Sequence, residues 1–319
     1  MQLDSTRIAV RERSLPEVLD LALHVTREFA GPWLLCSLLG VVPLAAINYA
    51  LIGWMTDLDY DTDFPGVRFT WNMTLLIFIE APLASVFVTA FLGPAVFMEQ
   101  RTIRQVIGDV FRIRRARLDD TRPVVNLFLC QLILRGILPA WLLYLTVDRY
   151  QFSPFQEGFL IPAIACYSMA MRAFRPYINE IVLLEKNPLT SQDPQRITIG
   201  KRSSHLHGPS SGDLFVRWIV SAMISLLLMV LALITAHLLL GLLLGILPFE
   251  YDPVAEEITE WNVTWLQLQV VWPACLWLVA SYFSVVRFLS YLDLRIRHEG
   301  WEVELLMRAE ALRMAAKVG

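Results

Sequence analysis

A run of thirty-two residues, 218–249, contains no formally charged side chain. An α-helix rises about 1.5 Å per residue and about 20 apolar residues cross the hydrocarbon core of a bilayer, so this run is long enough to span a membrane. Arg217 precedes the run and Glu250 follows it. The run therefore predicts a transmembrane helix with one basic end and one acidic end.

The composition predicts several helices of this kind. Of the 319 residues, 56% are hydrophobic and 18% are charged, which is typical of polytopic membrane proteins rather than of soluble domains. We expect an all-α fold in a single membrane domain, 1–319, with six transmembrane helices arranged as three hairpins. The predicted spans are about 33–54, 72–97, 123–147, 158–177, 216–249 and 263–288.

Basic residues are sorted along the chain. Of the 27 Lys and Arg residues, 24 lie in four stretches, which are the residues before the first predicted span, 101–122, 172–217 and the residues from 287 onward. The positive-inside rule places these stretches on the cytoplasmic side. We therefore expect a multi-pass membrane protein with both termini in the cytoplasm and three acidic loops on the opposite side.

Two of the basic stretches are predicted to form amphipathic helices. Each opens with a capping-box pattern, Ser14 to Glu17 in one and Thr102 to Gln105 in the other. The helices either lie along the membrane interface or pack beneath the bundle, and the patterns leave both alternatives open. In the second helix three arginines are expected to contact anionic lipid headgroups: Arg104, Arg112 and Arg115.

Two further cytoplasmic segments have different compositions. Residues 188–213 are rich in Pro, Gly, Ser and charge, which predicts a mobile loop. Residues 293–317 are predicted to form a cytoplasmic C-terminal helix. One apolar stripe of this helix is expected to contact a protein partner: Trp301, Leu305, Ala309 and Leu312.

Two ionisable residues lie inside predicted spans. Glu80 and Arg135 are each nine residues from an aromatic boundary residue, Trp71 and Tyr144 respectively, so both are about 13 Å below the same surface. A charge at this depth costs about 2.5 to 3.5 kcal/mol, and pairing is the common remedy. We therefore predict an ion pair between Glu80 and Arg135, as a functional polar site or as a structural clamp. Arg172 is expected to snorkel toward the cytoplasmic face.

The end of the chain carries a resemblance. Residues 291–306 read YLDLRIRHEGWEVELL, which resembles the end of the bacterial glycerophosphoryl diester phosphodiesterase membrane-domain family, a six-span integral membrane module. The opening RSLPEVLD of residues 13–20, and IVLLE of 181–185 with Pro188 after it, are similar to the same family. The resemblance implies a multi-pass module of the bacterial inner (cytoplasmic) membrane without the catalytic phosphodiesterase domain. The chain departs from the family after Pro188, where Arg202-Ser203 corresponds to the family's Arg-Ser pair.

These features favour a non-enzymatic membrane protein. Soluble segments are too short to bury a catalytic core, and we expect no cofactor, no metal site and no nucleic-acid partner. The expected partners are membrane lipids and a protein bound at the cytoplasmic face. The protein is thus predicted to be a scaffold or accessory subunit for an envelope or membrane-associated partner. The alternative is a transporter or lipid-translocating protein with its polar site at Glu80 and Arg135. An intramembrane enzyme is the third alternative.

Overall fold

The computed structural model describes residues 11–57, 67–97, 101–111, 131–133, 135–146, 155–185, 187, 197–245, 250–252, 257–260 and 267–299. Within these residues the chain is helical apart from one two-stranded antiparallel sheet. The helices are α1 (Leu15–Glu28), α2 (Ala30–Ile52), α3 (Val67–Ala84), α4 (Val86–Val96), α5 (Ile103–Phe111), α6 (Ile137–Thr146), α7 (Ile161–Phe174), α8 (Ile199–His207), α9 (Ser211–Leu244) and α10 (Trp272–Glu299). The strands are β1 (Glu250–Asp252) and β2 (Glu257–Glu260).

Shorter helical turns complete the described part of the chain. A 3₁₀ turn, Gly53–Asp57, follows α2, and π-helical turns precede α7 and α10 at Gln156–Leu160 and Gln267–Val271. Between α7 and α8, the turn Ile178–Glu180 continues as a π-helical turn, Ile181–Glu185. We refer to these last two together as the 178–185 segment.

Four stretches of helix are long and apolar enough to cross a membrane. They are Ala30–Thr56, Arg68–Val96, Ser211–Leu244 and Gln267–Glu299. They coincide with the first, second, fifth and sixth predicted spans, so the predicted helical membrane protein is confirmed at this level. The third and fourth predicted spans correspond to the shorter helices α6, of 10 residues, and α7, of 14 residues. A total of six crossings stays a prediction.

The α3–α4 helix lies at the centre of the bundle. In its most apolar window 78% of the residues are buried, compared with 39% for the first long helix and 44% for the last. Helices α2, α7 and α10 pack around it. The helix is interrupted at Ser85, where ψ is −3°, and the Ser85 hydroxyl donates to the Pro82 carbonyl at 2.8 Å.

Helix α9 lies at the edge of the bundle. Only 6% of the residues in its most apolar window are buried. Its contacts are with α10, α7 and the π-helical turn before α10. It ends at Gly245, which adopts a left-handed conformation with φ of 69°, and the two strands that follow were not predicted from the sequence.

Both predicted capping boxes are present. The Glu17 carboxylate accepts hydrogen bonds from the Ser14 backbone N–H at 2.8 Å and from its hydroxyl at 2.9 Å, and these bonds lower the pKa of Glu17. The Thr102 backbone N–H donates to the Gln105 amide oxygen at 2.9 Å. Helix α1 buries Val18, Ala22 and Val25 and packs against α10, so its apolar side faces the bundle.

The predicted loop 188–213 contains a helix in its described part. Residues 199–207 form α8, and the Thr198 side chain accepts from the Lys201 backbone N–H at its start. Ile199, Ser203 and Leu206 are buried on one side at helical spacing. Packing of this side therefore outweighs the Gly, Ser and charge content on which the loop prediction rested. Residues 188–196 lie outside the described residues.

Gly40 permits a close approach of α2 to α3. A Cβ added at Gly40 would lie 2.0 Å from the Ala84 carbonyl oxygen, whereas one added at Gly31 would meet no atom within 4 Å. We expect Gly40→Ala to lower the free energy of unfolding by about 1–3 kcal/mol through overpacking. Gly31→Ala, in the same helix, should be neutral or stabilise by up to about 1 kcal/mol. Thermal unfolding in detergent measures both, and equal effects would contradict the close contact.

His207 makes the packing of α8 dependent on pH. Burial lowers the pKa of His207 to about 4, and the charge of Arg175 acts in the same direction. Because the unfolded chain then binds more protons between about pH 4 and 6.5, stability should rise with pH across this interval and level off above it. Thermal unfolding at pH 5 and pH 7.5 should show a smaller difference for His207→Phe than for the wild type. The exposed His205 provides the control, His205→Gln, which should keep the full difference.

Candidate functional site

Glu80 lies at the centre of the bundle with two neutral hydrogen-bond donors. Its side chain, on α3, is fully buried. The Asn48 amide of α2 donates to it at 2.8 Å, and the Trp141 indole N–H of α6 donates at 2.5 Å. These two bonds connect α3 to helices that come before and after it in the chain. The charge of Glu80 inside a predicted span indicated this position, but the sequence contained no signal that Asn48 or Trp141 would be its partners.

The predicted ion pair between Glu80 and Arg135 is not formed among the described residues. Both side chains are buried, with 0% and 2% exposure. However, the Arg135 guanidinium donates to the Gln131 amide oxygen at 3.0 Å and to the Arg175 carbonyl at 3.5 Å. The prediction assumed an unbroken helix, whereas the backbone at Gly136 is left-handed with φ of 74°. The helix break therefore removes the regular spacing that placed the two charges side by side.

Arg135 belongs to a network around the Ser85 turn. Gln131, which accepts from Arg135, donates in turn to the Asn179 side-chain oxygen. The Asn179 amide donates to the Pro82 carbonyl at 2.6 Å and to the Ser85 hydroxyl oxygen at 3.2 Å. The network joins the residues before α6 and the 178–185 segment to the break between α3 and α4.

Arg287 of α10 extends this network. Its Nη2 atom donates to the Ser85 hydroxyl oxygen at 2.7 Å, and its Nε atom pairs with Glu180 at 2.9 Å. Glu180 is fully buried. A carboxylate at this position is compensated by the arginine, as a buried charge requires.

Arg172 of α7 is the third arginine of this region. Its guanidinium lies over the Phe78 ring at 4.1 Å, and its Nε and Nη2 atoms are buried. Snorkelling of Arg172 toward the cytoplasmic face stays a prediction. The charges of Arg135 and Arg287 act on Arg172. We refer to Arg135, Arg172, Arg287 and Glu180 as the arginine cluster.

Another polar network lies near the start of α3. Arg68 pairs with Glu157 at 3.0 Å, and the Asn72 amide donates to the same carboxylate at 3.0 Å. The Tyr144 hydroxyl donates to the Asn72 side-chain oxygen at 2.6 Å. These bonds hold α6 and the π-helical turn before α7 against α3.

Asp293 joins three separate parts of the chain at one end of α10. It is 2% exposed. It accepts from the Arg13 backbone N–H at 2.7 Å, from Arg217 of α9 at 3.0 Å and from Arg297 at 3.1 Å. This single carboxylate therefore links the segment before α1, the start of α9 and the end of α10.

Glu185 and Glu299 form the neighbouring part of the same cluster. Arg202 of α8 donates two hydrogen bonds to Glu185, at 2.6 and 2.8 Å, and a further one to Glu299. The bonds to Glu185 raise the pKa of Arg202. Tyr291 donates to Glu185 at 2.5 Å, and Arg295 donates to Glu299 at 2.5 Å. The terminal ion-pair cluster comprises Arg13, Glu185, Arg202, Arg217, Asp293, Arg295, Arg297 and Glu299.

The terminal ion-pair cluster unites the stretches that carry the family resemblance. Residues 13–20, 181–185 and 291–306, and the Arg202-Ser203 pair, each contribute at least one member. The sequence patterns in these stretches assigned no role to their charges. Acidic and basic residues at positions far apart in the sequence were the signal that indicates ion pairs between the stretches.

The remaining predicted site residues are not brought together by the described part of the structure. Arg104 is exposed on α5. Arg112 and Arg115, and the tail residues Trp301, Leu305, Ala309 and Leu312, lie outside the described residues. Among the described residues, no group of three or more His, Cys, Asp and Glu side chains is arranged to hold a metal ion.

Glu80→Ala is expected to destabilise the bundle. Loss of the carboxylate leaves the Asn48 and Trp141 donors buried without an acceptor, which costs about 1–3 kcal/mol for each donor. Glu80→Gln keeps an acceptor oxygen and should lose less than half as much stability. Thermal unfolding in detergent measures both effects, with Ser225→Ala as a control because that hydroxyl bonds to its own helix. A Glu80→Ala protein as stable as the wild type would contradict the clamp.

Comparisons with known proteins found no match: no family model, no curated protein and no solved structure matches the chain. The resemblance carried by residues 13–20, 181–185 and 291–306 therefore stays a prediction. The function is inferred below from the helices of this chain and their polar contacts.

Proposed function

We propose that this chain is a non-enzymatic, multi-pass protein of the bacterial inner membrane that acts as a scaffold or accessory subunit. It would cross the membrane six times, as three hairpins, with both termini in the cytoplasm. The four long apolar helices support the membrane setting, and the segregation of basic residues supports the orientation. The partner would be an envelope or membrane-associated protein that binds in the bilayer and at the cytoplasmic face.

The position of α9 is the observation that carries this proposal. Its 34 residues bury only Leu214 and Met229, although its sequence is apolar along almost its whole length. A membrane helix gains no hydrophobic energy by leaving lipid, so its place is decided by packing and polar contacts with other helices. Helix α9 makes few such contacts with the described part of the chain, which favours a partner helix in the membrane.

The terminal ion-pair cluster supports a second contact at the cytoplasmic face. Asp293 and Glu299 hold the end of α10 against the segment before α1, α8 and the start of α9. The tail, 300–319, therefore continues from a fixed point of the bundle. The convergence of the resembling stretches at this point also supports membership of the glycerophosphoryl diester phosphodiesterase membrane-domain family, whose name refers to a catalytic domain that the resemblance does not cover.

One observation favours a transporter or lipid-translocating protein as the second candidate. Glu80 is a buried carboxyl group whose two hydrogen bonds, among the described residues, come from uncharged donors. Such a group is able to take up a proton without breaking an ion pair. Its complete burial supports the clamp instead, because a transported substrate has to pass through its site.

Deletion of residues 300–319 tests the scaffold directly. We expect copurification of the partner from native membranes to fall at least about tenfold, a loss of about 1.4 kcal/mol, because the apolar stripe of the tail is removed. The truncated chain should keep its thermal unfolding midpoint, since the terminal ion-pair cluster ends at Glu299. If every partner stays bound after the deletion, the proposal is wrong.

Photo-crosslinking tests the contact of α9. A crosslinker at Met223 or Leu226, which are 66% and 67% exposed, should capture the same partner. The matched controls are Leu35 and Val42 on α2, which are 50% and 57% exposed and should capture lipid. Capture of lipid alone from α9 as well would contradict a partner helix at this position.

A further inference from the structure

One guanidinium edge has no hydrogen-bond partner among the described residues. The Nε and Nη2 atoms of Arg172 are buried and form no hydrogen bond there, while the residue as a whole is partly exposed. Phe78 covers one face of the head group at 4.1 Å. A buried charge without hydrogen bonds is among the most costly groups in an apolar interior. Arg172 therefore leaves two donors available for an acceptor that the described chain does not supply.

The two unpartnered atoms form the edge that recognises oxyanions. Nε–H and Nη2–H donate in parallel, and their spacing matches two oxygens of one phosphate or carboxylate group. The contact with Phe78 fixes the plane of the guanidinium from one side. The geometry is thus prepared for a bidentate ligand, whereas a single water would satisfy one donor well and the other poorly.

The surroundings of this edge favour an anion with several negative oxygens. The like charges of Arg135 and Arg287 act on Arg172. Glu180 pairs with Arg287 through its Oε1 atom at 2.9 Å, its Oε2 atom is buried without a hydrogen-bond partner, and it forms no ion pair with Arg172 among the described residues. Three arginine charges against one carboxylate favour an anion over a cation at this edge. A phosphate group presents oxygens to more than one arginine at once, which a carboxylate does less well.

We propose that the arginine cluster binds one phosphate group, held by the Nε and Nη2 edge of Arg172. The phosphate belongs to a lipid headgroup or is free inorganic phosphate, and the chemistry of recognition is the same for both. Helix α7 exposes Tyr167, Met169 and Phe174, which provide an apolar surface for acyl chains beside the cluster. This inference does not rest on the scaffold function, since the site is formed without α9 and the tail.

Native mass spectrometry of the purified, delipidated full chain tests the site. Phosphatidylglycerol, inorganic phosphate and diacylglycerol are titrated separately. We expect one phosphatidylglycerol per chain and no comparable binding of diacylglycerol, which has the same acyl chains without the phosphate. Binding of inorganic phosphate as well would assign the site to the phosphate group alone, and binding of phosphatidylglycerol only would assign it to a lipid. If neither phosphate-bearing ligand binds, or diacylglycerol binds equally well, the proposal is overturned.

Variants locate the binding at Arg172. Arg172→Gln should weaken phosphatidylglycerol binding about tenfold or more, because two charge-assisted hydrogen bonds are lost. Arg172→Lys keeps the charge without the fork and should give an intermediate loss. Arg27→Gln, at an exposed position of α1, is the control and should bind as the wild type does. Should Arg172→Gln fail to fold, Arg172→Lys decides, and wild-type affinity in that variant would overturn the assignment.

Discussion

Buried polar side chains must find their partners within the protein, because a hydrocarbon interior offers no water to replace them. In this bundle several of these partners come from helices that are far apart in sequence. Glu80 of α3 is satisfied by Asn48 of α2 and Trp141 of α6. Apolar packing alone does not select the neighbours of a membrane helix, since lipid tails are as apolar as leucine. The hydrogen bonds of a few polar residues therefore determine which helices surround α3.

The break between α3 and α4 concentrates these polar contacts. Pro82 and Ser85 make a carbonyl and a hydroxyl available in the middle of an otherwise apolar stretch. Asn179 and Arg287 bind to them from two other parts of the chain. A helix without this break would satisfy its own carbonyls and would leave those side chains without acceptors. The arginine cluster is connected to this break through Arg287, which binds the Ser85 hydroxyl at 2.7 Å.

At the end of the bundle, ion pairs take the place of the hydrogen bonds from uncharged donors that surround Glu80. The terminal ion-pair cluster consists of carboxylates that each bind arginines from several segments, with bidentate geometry at Glu185. Partial burial strengthens such bonds, while each charge keeps a hydrogen-bonded partner of opposite sign. The segment before α1, α8 and the ends of α9 and α10 are held together in this way. The central clamp does not include α9, and this cluster binds α9 only at its basic end. The rest of α9 makes little contact with the other described helices, which is the physical basis for a partner helix.

The sequence by itself determined the features that depend on neighbouring residues. The charge-free run 218–249 dictated a long helix, the Ser14 and Glu17 pair dictated a helix start, and the positions of Glu80 and Arg135 dictated buried charges. Tertiary structure alone decided which groups those charges meet. Gly136 interrupts the helix beside Arg135, and the buried side of α8 forms only where the rest of the bundle covers it. Helix breaks and rotations depend on the packing of several helices at once, and a local pattern of residues contains no information about that packing.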